Sequence, residues 1–360
     1  MSLIRPTQSG ASARRGGIAA LTLIAALALT GCASGTPSGD PAASGGGGGH
    51  AESGAFPVSI EHAFGEAKIT EEPERVVTLG WAAEDAVVAF GVVPVAVPEY
   101  GWGADEDGYL PWFREAVEAT GSPMPETLNS EDRAGEVNFE QILGLEPDVI
   151  LAPFSGITEE DYERLSEIAP TVAFAEKPWA SSWQEMTTVV GQALGQPERA
   201  KELLAETEAQ IAEQGAAHPE FQGVTFAYGM GMPDGASELT LYFPADPRVE
   251  IIEGLGFVTP PSIVDFAAST GASSSESISL ELLPDIDDAE VFLAWAGSEE
   301  DANRTLKNPV VSGWGPVAAG KDLVLTEPSL VWATSSPTVL NIGWALDELV
   351  PQLSELVKRS

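Results

Sequence analysis

The apolar residues of this chain fall into two alternating patterns. Glu74-Arg75-Val76-Val77-Thr78-Leu79 is a short continuous apolar run, the pattern of a strand buried on both faces. Trp81 to Phe90 then sets its apolar residues at helical spacing, Gly91 stops the helix, and Val92 to Val97 reads as another strand. The same rhythm returns at Phe139 to Leu145, Asp148 to Ala152, Glu159 to Ile168 and Thr171 to Ala175. Strands alternating with helices predict an α/β first half with a largely parallel sheet. A second α/β series starts near Val224-Thr225-Phe226-Ala227-Tyr228. It continues through a helix at Arg248 to Gly254 and strands at Ala289 to Trp295 and Leu323 to Thr326, and closes on a helix from Thr338 to Leu349.

Two helices are predicted between the series, one from Ser182 to about Leu194 and one from Pro197 to about Gly215. In the second, Ala200, Leu203, Leu204, Thr207 and Ile211 share a face, and Pro197 suits the first helical position. At about 1.5 Å per residue it is about 27 Å long, enough to bridge two lobes, although a core helix would show the same pattern. The halves also echo each other. Val137-Asn138-Phe139-Glu140-Gln141-Ile142-Leu143 leads into Pro147-Asp148-Val149-Ile150-Leu151-Ala152, and Ile278-Ser279-Leu280-Glu281-Leu282-Leu283 leads into Ala289-Glu290-Val291-Phe292-Leu293-Ala294. The expected organisation is a lobe over 56–181, a connecting helical segment over 182–216 and a similar lobe over 217–360.

Ahead of this body, Arg5, Arg14 and Arg15 precede an apolar run from Ile18 to Leu29, the make-up of a secretory signal over residues 1–31. The run is too short to span a bilayer. It ends in Leu29-Thr30-Gly31-Cys32, which matches the lipobox, where the cysteine sulfur is diacylated and the cysteine becomes the first mature residue. Cys32 is the chain's single cysteine, and an ordinary cleaved signal would leave it as a lone thiol in an oxidising compartment. Lipidation of Cys32, anchoring an exported protein at the outer face of the cell membrane, is therefore expected. Residues 32–55 are mostly Gly, Ser, Ala and Pro, with five glycines from Gly45 to Gly49, and form a flexible tether.

The 17 basic and 55 acidic residues give a net charge of -38, deepened to about -41 when the three signal arginines are removed. Nucleic acid and anionic lipid are poor partners for so acidic a body. Catalytic signatures are also missing. The chain has His50, His62 and His218 only, no Gly-x-Ser-x-Gly elbow, and a glycine spacing at Gly229-Met230-Gly231-Met232-Pro233-Asp234-Gly235 that suits no phosphate loop. Two histidines in the body, both away from strand ends, argue against a bare-metal site.

The layout of lobe, connecting helix and lobe on a lipid tether resembles the solute-binding proteins of bacterial ABC importers for siderophores, haem and cobalamin. The motifs that carry the resemblance are Pro73-Glu74-Arg75-Val76-Val77-Thr78-Leu79, Phe90-Gly91-Val92-Val93-Pro94-Val95, the two glutamate-centred repeats and Leu255-Gly256-Phe257-Val258, in that order. Tyr100-Gly101-Trp102-Gly103 and Ser155-Gly156-Ile157-Thr158-Glu159-Glu160-Asp161-Tyr162 bring it nearest to the iron-siderophore branch. The resemblance implies a class III periplasmic-binding-protein-like fold: two similar lobes with mostly parallel sheets, joined by a single long helix. It implies a monomeric receptor with no cofactor and no catalysis, iron entering only within the cargo. That receptor would capture a ferric siderophore between the lobes and deliver it to the importer's permease subunits. Haem or cobalamin would suit the same fold; an adhesin or an enzyme would be a reading of another class.

In such a fold ligands collect beyond the carboxyl ends of strands, which nominates the residues just after them. In the first lobe these are Trp81, Tyr100, Trp102, Phe154, Ser155 and Trp179; in the second, Tyr228, Met230, Trp295 and Trp332, with Tyr242 and Arg248 beside a helix start. Flat aromatic side chains suit a large, partly apolar chelate, and Arg248 would pair with an anionic one. The resemblance also assigns Glu140 and Glu281 to permease docking. At both places the residue sequence also fits a plain helix start, with Asn138 and Ser279 as N-caps and the glutamate favoured by the helix dipole.

Overall fold

The computed structural model describes residues 50–128 and 137–359; the signal, Cys32 and most of the tether lie outside the described residues. The described chain opens on an antiparallel hairpin, β1 (Val58–His62) and β2 (Gly65–Ile69). Each of these strands buries alternate residues, so neither shows the continuous buried run of Val76–Thr78 or Val149–Leu151. There follow β3 (Val76–Thr78), α1 (Ala83–Ala89), β4 (Ala96–Pro98), α2 (Pro111–Thr120) and β5 (Glu126–Leu128), then α3 (Phe139–Gly144), β6 (Val149–Leu151), α4 (Glu159–Ser166) and β7 (Thr171–Val172). Five of these strands form one parallel sheet in the order β5-β4-β3-β6-β7. The chain winds outward from β3 to β5 and returns on the other side for β6 and β7. The switch point of the sheet therefore lies between β3 and β6.

Next come α5 (Trp183–Ala193) and α6 (Pro197–Ala217). Ser182 opens α5 with a reciprocal cap: its hydroxyl accepts from the Glu185 amide at 3.1 Å, and the Glu185 carboxylate accepts from the Ser182 amide at 2.9 Å. The 21-residue α6 belongs to both halves. Ala200 and Leu203 sit in the apolar cluster of the first sheet with Val76, Val87 and Val190, while Ile211 joins the cluster of the second with Leu255 and Leu353. At Gly215 the helix touches the next segment so closely that a Cβ would lie 2.7 Å from the Leu255 carbonyl oxygen.

The second half consists of β8 (Phe226–Met230), β9 (Glu238–Tyr242), α7 (Pro247–Gly254), α8 (Pro261–Thr270), β10 (Ser275–Ser279), β11 (Val291–Trp295), α9 (Glu299–Lys307), α10 (Gly315–Ala318), β12 (Asp322–Leu325), α11 (Pro328–Ser335) and α12 (Asn341–Lys358). The sheet order is β10-β9-β8-β11-β12, with β8, β11 and β12 parallel and β9 reversed against both neighbours. One N-cap expectation fails. Ser279 is the last residue of β10, paired with Glu238, and only a single 3-10 turn follows at Leu283–Asp285. Pro284 has no amide to continue an α-helix through this stretch, and Leu283 and Ile286 are buried instead. Among the described residues no helix is long and apolar enough to cross a membrane.

The two halves meet at α12. Its Trp344 packs on Trp112 of α2 with ring centroids 5.1 Å apart. Beneath them Oδ2 of the buried Asp85 accepts from Trp112 Nε1 at 2.8 Å, Thr338 Oγ1 at 2.9 Å and Asn341 Nδ2 at 3.4 Å. Beside it, Oε1 of the buried Glu84 accepts from the Tyr100 hydroxyl at 2.6 Å, and that hydroxyl accepts from the Ala82 amide at 3.1 Å. Burial raises the pKa of both carboxyls, Glu84 from 4.5 to about 7, and the nearby Glu84 raises Asp85 further.

Folding therefore holds a proton on Glu84 between pH 4.5 and about 7, where the unfolded chain has released it. This contribution to stability is complete below the lower limit and is lost as pH rises through the window. Glu84→Gln should flatten the decline: between about pH 5 and pH 8 its melting temperature should fall less than that of the unaltered protein. Equal pH slopes for the two proteins would mean that Glu84 titrates as an ordinary glutamate.

Candidate ligand-binding cleft

The chain leaves β3 through Leu79 and Gly80. Gly80 has φ +85°, and a Cβ there would lie 2.2 Å from the Phe154 carbonyl oxygen, so only glycine fits. The Trp81 amide donates to the same carbonyl at 2.9 Å, which sets Trp81 beside Phe154 at the switch point of the sheet. The Trp179 amide donates to the Ser155 carbonyl at 3.2 Å. The result is an aromatic wall, with the Trp81 ring 4.7 Å from Trp179 and 6.4 Å from Phe154, and Phe154 5.6 Å from Trp179. Trp81 is 38 % exposed and Trp179 41 %, unusual for tryptophan unless the surface has a use.

The opposing wall comes from the second half. Trp332 of α11 stands edge-on to Trp81 at 4.9 Å, and its Nε1 donates to the Trp102 carbonyl at 2.6 Å, tying α11 to the loop after β4. Trp295 closes β11, and its Nε1 donates to the Tyr242 hydroxyl at 2.9 Å. Because β9 runs backwards, the turn from β9 into α7 brings in Asp246 and Arg248 as well. Between the walls lies a cavity of about 690 Å³, whose lining includes all of these residues except Tyr242. At its edge Glu250 of α7, which also lines the cavity, accepts from Gln184 of α5 at 2.8 Å.

Of the twelve nominated residues, Trp81, Trp102, Phe154, Trp179, Arg248, Trp295 and Trp332 line this cavity, and Met230 and Tyr242 do not. Tyr100, Ser155 and Tyr228 are buried and do not line it. The Tyr100 hydroxyl is committed to Glu84, and the Ser155 hydroxyl donates to the Ala152 carbonyl at 2.8 Å. Tyr228 lies in the middle of β8 rather than after it, because the strand runs on to Met230. Sequence reasoning missed three serine pairs on the lining, Ser181-Ser182, Ser273-Ser274 and Ser335-Ser336. The doublets are visible in the sequence, each beside a helix or strand terminus.

Arg248 lies under firm local control. Its Nη1 donates to both carboxylate oxygens of Asp246 at 3.0 Å and its Nε to Ser335 Oγ at 3.1 Å, while the guanidinium sits 4.4 Å over the Tyr242 ring. Burial opposes the Arg248 charge, but Asp246 and the two tyrosines outweigh it and raise the pKa; burial raises that of Asp246. The histidines of the body lie elsewhere: His62, against the expectation from sequence, closes β1 and rests on Tyr162, and His218 stacks on Phe221, with ring centroids 4.9 Å apart in each pair. Among the described residues no group of three or more His, Cys, Asp or Glu is placed to hold a metal ion.

A family model described as periplasmic binding protein matches residues 76–321. The chain belongs to this family. As a periplasmic binding protein it is similar to PiaA of Streptococcus pneumoniae, solved in complex with ferrichrome. The two are 32% identical, the match covers 84% of this chain and 99% of that one, and the TM-score is 0.73. It is 25% identical over 276 residues to the ferric enterobactin-binding periplasmic protein FepB of Escherichia coli, covering 71% of this chain and 80% of the relative. It is 24% identical over 285 residues to the Fe(3+) dicitrate-binding periplasmic protein FecB of the same species, covering 78% and 85%.

Both glutamates that the resemblance singles out are exposed. Glu140 lies in the first turn of α3, whose cap Asn138 accepts from the Gln141 amide at 3.1 Å, so the helix dipole favours an acid there. Glu281 has no such reason, since no α-helix follows Ser279. Leu143, 61 % exposed, lies one turn beyond Glu140, and Leu282, 47 % exposed, adjoins Glu281.

Proposed function

We propose that this periplasmic binding protein captures a ferric siderophore in the cleft between its lobes and delivers it to the permease of an ABC importer. The observation that carries the reading is the aromatic lining of Trp81, Phe154, Trp179, Trp295 and Trp332 around a cavity of about 690 Å³, room for a bulky chelate with apolar arms. The relatives' names support the cargo: ferrichrome, ferric enterobactin and ferric dicitrate are all iron chelates. A binding role rather than catalysis fits the lining, which offers serines but no histidine or lysine to activate them. The proposal extends to a monomer anchored by lipid on Cys32, with Glu140 and Glu281 as docking points for the two permease subunits.

Titration with ferric chelates should quench tryptophan fluorescence, and replacing Trp81 and Trp179 together by alanine should weaken binding about tenfold or more. Silence towards hydroxamate, catecholate and citrate chelates alike would refute the cargo, and a response to haem or cobalamin alone would reassign it. Glu140→Lys combined with Glu281→Lys should abolish uptake into cells while the dissociation constant in solution stays unchanged; a matching loss of affinity would make the two glutamates structural. Cys32→Ser should release the protein from the membrane fraction, and continued sedimentation with membranes would remove the lipid anchor from the proposal.

A further inference from the structure

The cleft is acidic on balance. Three charged residues line the cavity, Asp246, Arg248 and Glu250. Arg248 is its single cation, and Asp246 neutralises it through hydrogen bonds from Nη1 to both carboxylate oxygens at 3.0 Å, with 15% of the arginine side chain and 7% of the aspartate side chain exposed. A cation held in this way has little charge left to offer an anion, because a partner that displaced Asp246 would leave a buried carboxylate uncompensated. Glu250 has no cationic partner among the described residues and accepts only from the neutral Gln184 amide. Lys177, two residues before Trp179, is exposed, adjoins Glu176 and does not line the cavity. Around all this lies a chain of net charge -38.

A chelate's charge follows from its donors. Three hydroxamates each give up one proton and balance a ferric ion, leaving a neutral complex. An appended ammonium makes that complex a monocation. Three catecholates each give up two protons and leave a trianion, and citrate complexes are likewise anionic. A trianion entering this cleft would shed its hydration, meet Glu250 and find no free cation among the described lining residues in return. A neutral or monocationic chelate meets no such penalty. Its methylene arms can cover the indole faces, its outer oxygens can accept from the serine pairs, and an ammonium is attracted both to Glu250 and to the tryptophan rings.

Resting on the siderophore reading above, we infer that the cleft selects ferric chelates of zero or positive net charge, of the tris-hydroxamate type, and rejects polyanionic catecholate and citrate chelates. The test measures dissociation constants for ferrichrome (neutral), ferric desferrioxamine B (a monocation), ferric enterobactin (a trianion) and ferric citrate. Ferrichrome or ferric desferrioxamine B should bind at least about 100-fold more tightly than either anionic chelate. Asp246→Asn keeps an N-cap acceptor for α7 while freeing the Arg248 charge, and should narrow that ratio about tenfold by tightening the trianion. Glu250→Gln keeps an acceptor for Gln184 and should erase most of any preference for the monocation over the neutral chelate. Equal or tighter binding of the trianion by the unaltered protein would overturn the charge inference while leaving the siderophore reading standing. Binding of none of the four would overturn both.

Discussion

Asp85 is the point at which the two halves of the molecule are held together. A carboxyl group this deeply buried is costly unless donors meet it, and here they reach Oδ2 from three places: Trp112 on α2, Thr338 in the turn before α12, and Asn341 at the head of α12. Thr338 and Asn341 lie more than 250 positions further along the chain. The contact fixes where the C-terminal helix starts, and its next turn then lays Trp344 on Trp112. The apolar cluster around these residues is continuous from Val117 and Phe113 on one side to Phe226, Leu293 and Leu353 on the other. Two lobes that share a core and a buried hydrogen-bonded acid behave as a stiff pair, and large hinge movements would have to break both.

Stiffness places the recognition surface before the ligand arrives. Trp81 owes its position to Gly80, which alone tolerates the close approach of β3 to β6, and Trp332 is held by its hydrogen bond to the loop after β4. The main chain of Trp81 and the ring of Trp332 are thus held by backbone contacts, and the Trp81 ring is packed among Phe154, Trp179 and Trp332. An aromatic surface that is already ordered loses little conformational freedom on binding, so its contact area converts more fully into affinity. The route from sequence to site is short: a glycine at a strand end, a tryptophan after it, and a parallel sheet whose switch point lies at the same place.

What the sequence revealed tracks how local each cause is. Buried parallel strands such as Val76–Thr78 and Val149–Leu151 announce themselves as apolar runs, and Pro197 and Ser182 mark helix starts by their own chemistry. Ser275–Ser279 is an edge strand with mostly polar, partly exposed residues, so no run marks it, and the reversal of β9 that carries Arg248 into the cleft went unseen with it. Candidate aromatics were located by strand ends, which served for Trp81, Phe154 and Trp295. Tyr100 passes the same criterion and is nonetheless buried, because Glu84, sixteen residues upstream, takes its hydroxyl. Nothing in the local pattern could show that pairing, and the Asp246 contact that neutralises Arg248 is equally invisible until side-chain geometry is known.

Fold and cargo are consequently set by different residues. The sheet order, the bridging helix and the Asp85 contact create a cleft between two lobes, and these features would serve many ligands of similar size. The charge inside the cleft depends on three side chains, two of them, Asp246 and Arg248, separated by a single proline at the start of α7. A substitution at either changes the electrostatic character of the cavity at a helix start, outside the strands of both sheets. The docking points proposed on the rim lie outside that cavity altogether, on α3 and after β10, so a change of cargo there demands no change of importer-facing surface. An aromatic cavity with an adjustable charge, on a scaffold whose contacts with the permease stay constant, is a physical route by which one architecture can serve chelates of opposite charge.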